Sequence, residues 1–137
     1  MAERVQGSEL FKKTVVFSFH EKHFDQVPGL FDWVLANSKH NVAPSQAKAF
    51  LNSLQRVEDL EYLHNPLLYT SEQRVAFGFN PDSREIQVRV WHNLSHYAGF
   101  KSDEAVRGAI SSHLGFLKGL KAFLEEKGIT ASEEHRG

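Results

Sequence analysis

The sequence predicts an α+β chain in which an antiparallel-rich sheet carries helices on its apolar face. Three observations support this: apolar alternation over 14–20, a pair of alternating stretches over 73–91 with a readable register, and a long terminal helix signed at both ends. The expected order is β-α-α-β-β-α. Strands are placed near 14–20, 73–79 and 85–91, and helices near 26–36, 45–63 and 103–127.

Residues 1–11 have no periodic signal and read as a loose arm before a single domain over 12–129. The run TVVFSFH then puts Val15, Phe17 and Phe19 on one face and Thr14, Val16, Ser18 and His20 on the other, as in a half-buried strand. After His23, the spacing of Val27, Leu30, Phe31, Val34 and Leu35 predicts a helix, with Pro28 tolerated in its first turn. A second helix is expected from Ser45 on the spacing of Phe50, Leu51, Leu54, Val57, Leu60 and Leu63, and Pro66 ends it.

Between Gln73 and Trp91, a common face for Val75, Phe77 and Phe79 with Ile86, Val88 and Val90 forces the pairs 79 with 86, 77 with 88 and 75 with 90. The loop 81–84 fits a type I turn with Asn80 first and Pro81 second. The other face, with Arg74, Ala76, Gly78, Gln87, Arg89 and Trp91, is too mixed to read as wet or covered. His92 to Lys101 reads as either a strand extension or a loop.

The last helix dominates the chain. At 100° per residue, Val106, Ala109, Ile110, His113, Leu114, Phe116, Leu117, Leu120, Phe123 and Leu124 form one wide apolar arc, which is a core face. Ser102 serves as N-cap, with Asp103 and Glu104 in the first turn. At the other end Gly128 suits the left-handed position and Ile129 the Schellman contact. Roughly opposite the arc, Gly108, Ser112, Gly115, Gly119 and Ala122 draw a stripe of small residues. Each interior glycine costs a helix about 1 kcal/mol relative to alanine, so a neighbour packed on the stripe is expected, from within the chain or from a second copy. Residues 130–137 read as a frayed polar tail.

With 137 residues and 41% hydrophobic content, the chain can bury a core as one domain. A net charge of −1 with no basic cluster argues against nucleic acid and anionic membranes as partners. The absence of cysteine excludes disulfides, thiolate chemistry and cysteine-ligated metals, and fits a cytoplasmic chain. No apolar run near transmembrane length and no signal-peptide pattern is present.

Chemistry-bearing constellations are sparse, which leans the reading away from an enzyme, and no cofactor or metal is expected. The pairs His20/His23 and His92/His96 match no metal-ligand signature. No serine lies in a nucleophile motif, and no glycine-rich phosphate loop exists. His113, in the middle of the apolar arc, needs a hydrogen-bond partner as a core residue, or else points into a pocket. The element order is also that of eukaryotic-type KH modules, but the connection ANSKHNVAPS over 36–45 lacks their GxxG clamp, and RNA binding ranks last.

The leading expectation is a non-enzymatic binding or regulatory protein acting through protein contacts, as a homodimer on the stripe of Gly108, Ser112, Gly115, Gly119 and Ala122. The alternative is an apolar-ligand or cofactor pocket, or a small enzyme, using His113 with Trp91, His92 and Tyr97.

Overall fold

The computed structural model describes residues 13–37, 53–62, 68–69, 73–92 and 103–136. The N-terminal arm, most of the second expected helix and Tyr97 lie outside these residues. Among the described residues, five strands form one antiparallel sheet: β1 (Thr14–His20), β2 (Leu68–Tyr69), β3 (Gln73–Asn80), β4 (Glu85–His92) and β5 (Ser132–Arg136), in the order β2-β3-β4-β1-β5. The α-helices among the described residues, α1 (Val27–Asn37) and α2 (Asp103–Glu126), supply apolar residues to the same core.

The hairpin has the register its alternation demands. Phe79 pairs with Ile86, Phe77 with Val88 and Val75 with Val90, while Val15, Phe17 and Phe19 of β1 continue the same rows from the other side of β4. All nine side chains are buried, and a slip by one residue would turn each of them to the opposite face. At the hairpin's end, Asn80 Oδ1 accepts hydrogen bonds from the amides of Asp82 at 2.9 Å and Ser83 at 3.4 Å, as an asparagine opening a turn does.

β1 runs directly into a 3-10 turn, Glu21–Gln26, capped by His20, whose Nδ1 accepts from the Lys22 amide at 2.9 Å. Helical backbone therefore begins before residue 26, because the histidine side chain satisfies an amide that the strand leaves open. α1 follows with Val27, Leu30, Phe31 and Val34 buried, and Phe31 meets Phe77 edge to face at 6.0 Å.

Two expectations are corrected. The helix placed over 45–63 is not continuous through its described part, where 53–56 is turn and irregular backbone and only Val57–Tyr62 is helical, as a 3-10 segment. The Asp59 carboxylate explains the break. It accepts from the amides of Gln55 at 3.3 Å and Arg56 at 3.2 Å, competing with the backbone bonds an α-helix would make there. The tail placed over 130–137 as frayed instead forms β5, with Ser132 to Arg136 paired to Ser18 through Thr14 of β1. β1 buries Val15 and Val16 on its two faces, at 0% and 1% exposure, so it is unsuited to an open edge; a charged strand beside it ends the sheet in water.

α2 ends as its sequence indicates. Gly128 has φ +73, its amide bonds the Glu125 carbonyl at 3.0 Å, and the Ile129 amide bonds the Leu124 carbonyl at 2.9 Å, the two bonds of a Schellman motif. Ile129 is buried, and the chain reverses into β5. The buried face of α2 comprises His113, Phe116, Leu117, Leu120 and Leu124. On the far side of the sheet, Val16 and Ala76 are also buried in the row that Arg89 shares with them, so that face is covered at its centre.

Candidate functional site

The five residues of the α2 stripe share one face of the helix by their spacing. Gly108, Ser112, Gly115 and Ala122 are exposed and Gly119 is half-buried. A methyl group added at Gly119 would lie 3.0 Å from Trp33 Cζ2 and 3.2 Å from its Cη2, inside ordinary contact. Trp33 comes from α1 and is wedged between Phe116 at 5.4 Å and Phe123 at 5.8 Å, so its ring sits against bare backbone. Added methyls at Gly108 and Gly115 would meet nothing within 4 Å.

Of the residues expected around a His113 pocket, the described residues give a burial for His113 and Trp91 alone. His113 is 1% exposed, on the buried face of α2. Trp91 follows Val90 in β4, pairs with Arg74 and lies on the opposite face of the sheet from Val90. His92 closes β4, and Tyr97 lies outside the described residues. His113 is thus known here by its burial alone.

The other histidines near β1 have structural work: His20 caps the 3-10 turn, and His23 stands edge-on to Phe19 at 6.2 Å. Among the described residues, no group of three or more histidine, aspartate or glutamate side chains is placed to hold a metal ion. A surface ion network joins that turn to the hairpin. Arg84, at φ 57, donates from Nε and from Nη2 (3.0 Å) to Glu21 and reaches Glu58 at 3.3 Å, with its guanidinium 5.0 Å from the Phe79 ring centre. The Arg84 hydrogen bond holds the Glu21 carboxyl below its usual pKa, and Glu21 in turn raises that of Arg84. Both groups are solvent-exposed, so the network fixes the turn more than it stabilises the fold.

A second place with chemistry lies where α2 ends and β5 begins. A cavity of about 410 Å³ opens there, with Phe17, Leu124, Ile129 and Ala131 contributing apolar wall and Lys121, Glu125 and Glu133 contributing charge. Glu133 is paired with Phe17 and therefore sits on the inner face of β5, turned toward α2. Its Oε2 is 2.6 Å from His135 Nε2 and its Oε1 3.8 Å from Lys121 Nζ. On the outer face, the Arg136 hydrogen bond lowers the pKa of Glu134.

No protein-family model, curated protein or solved structure matches this chain. The β5 cluster escapes a reading by composition because ITASEEHR looks like solvated tail. The available signal was weak: Ile129, Ala131, Glu133 and His135 alternate directly after a glycine that reverses the chain. Among the described residues, no helix is long and apolar enough to cross a membrane.

Proposed function

We propose that this chain is a non-enzymatic binding or regulatory protein that works through protein contacts, with a second copy of itself seated on the exposed stripe of α2. The observation that supports this reading is the contrast within the stripe. Three interior glycines each weaken the helix by about 1 kcal/mol against alanine. Trp33 supplies the offsetting contact at Gly119. Gly108 and Gly115 have open space above them, so a neighbour that gains from their missing side chains has to come from outside the described chain.

A second copy suits the stripe because its small residues are arranged about Gly115. Gly108 and Ala122 stand at equal distance on either side, two helical turns away, so an antiparallel pair of α2 helices on a two-fold axis would put Gly115 on Gly115 and Gly108 on Ala122. The same crossing brings exposed Arg107 within a turn of Glu126 in the second copy, pairing opposite charges at both ends.

Sedimentation of the full chain from about 1 to 100 μM, the range of ordinary reversible dimers, tests the reading. The expected result is twice the chain mass, falling to the chain mass in Gly115→Leu with an unchanged circular dichroism spectrum. A wild-type chain that stays monomeric throughout would refute self-association.

A further inference from the structure

The cavity at the end of α2 is separate from the stripe and has its own chemistry. Phe17, Leu124, Ile129 and Ala131 give it an apolar body, and its volume of about 410 Å³ falls within the range that holds small molecules. Charge at its mouth is unbalanced. Glu125 and Glu133 set two carboxylates against the single ammonium of Lys121, and the negative end of the 24-residue α2 dipole lies beside them.

The two oxygens of Glu133 are not equivalent. Oε2 accepts from His135 Nε2 at 2.6 Å, which fixes the carboxylate plane. Oε1 faces Lys121 Nζ at 3.8 Å, beyond direct hydrogen-bond reach, so a cation closer than the lysine can be accommodated there. An anion entering the same mouth would meet two carboxylates and gain one exposed lysine.

We infer that this cavity binds a small organic cation with an apolar body, a primary amine on a short alkyl or aryl chain. The body lies against half-buried Ala131, over a floor formed by the almost fully buried Leu124 and Ile129, and the ammonium donates a charge-assisted hydrogen bond to Glu133 Oε1. The apolar wall supplies contact area, while the sign of the mouth selects amine over acid.

An amide-resolved NMR titration of the full chain tests this with phenethylamine and with hydrocinnamate, an anion of nearly the same size. Phenethylamine is expected to shift the amides of 128–133 with a Kd on the order of 1 mM, reasonable for so small a ligand, and hydrocinnamate to leave them in place. Glu133→Gln should weaken the amine about tenfold, the loss of one charge-assisted contact. Ala131→Phe should block it by filling the cavity, with amide dispersion confirming the fold. If that variant does not fold, Glu133→Gln decides alone. Equal shifts from the two probes, shifts only outside 128–133, no shift with the amine at about 10 mM, or full affinity in Glu133→Gln would each overturn the inference. None of these outcomes bears on the oligomeric state.

Discussion

Gly119 and Gly115 stand one helical turn apart on the same stripe, yet their surroundings are opposite. At Gly119 an indole ring from α1 occupies the space of the missing side chain, and at Gly115 nothing from the described chain comes within 4 Å. The comparison shows that one sequence pattern can have two physical causes. A small residue inside a helix acquires its meaning from what lies across from it, and the helix alone does not reveal that neighbour.

Removing the neighbour should give the largest effect. Trp33→Ala is expected to destabilise the fold by about 3 kcal/mol, the lower end for a large aromatic because the ring is half-buried, read as a fall in the urea midpoint. Next comes Gly119→Ala, expected to cost about 1 kcal/mol, since the crowding against a ring held by Phe116 and Phe123 exceeds the gain in helix propensity. In the Trp33→Ala background the same substitution should become neutral or stabilising, and a double-mutant cycle without coupling would break the comparison. Gly115→Ala should move the other way, stabilising the dilute, monomeric chain by about 0.5–1 kcal/mol because alanine fits the open helix surface and restricts the unfolded chain.

The smallest effect concerns exposed charge. Glu21 and Glu134 both have folded pKa values below their ordinary ones, each through a hydrogen-bonded arginine. A lowered carboxyl contributes stability above its unfolded pKa and loses it as pH falls through the folded value. Glu21→Gln should therefore flatten the decline in urea midpoint on acidification below the usual carboxylate range. Glu134→Gln should flatten it less, because Arg136 lies two residues away in the same strand whereas Arg84 is tied to Glu21 across the fold.

Legibility followed apolar periodicity. The hairpin register, β1, α1 and the Schellman end of α2 were readable because each rests on local pattern or local backbone chemistry. β5 was not readable: its stability comes from the backbone of β1, and its side chains are exposed like those of a tail. The broken helix near 53–56 failed for a related reason. Leu54 and Val57 keep helical spacing, but the Asp59 carboxylate captures amides that the helix would have used. Of the candidate sites, the stripe was visible and its internal half, Trp33, was not. Trp91, grouped with His113 on composition, lies by period-two alternation on the face of β4 opposite Val90.

The first of the described strands is held on both sides by the last two of them: Val15 pairs with Val90 on one side and His135 on the other. During synthesis its two backbone edges stay without these partners until β4 and then β5 have left the ribosome. Closure over such sequence separations is slow, and a hydrophobic segment exposed for that interval is a natural client for a chaperone.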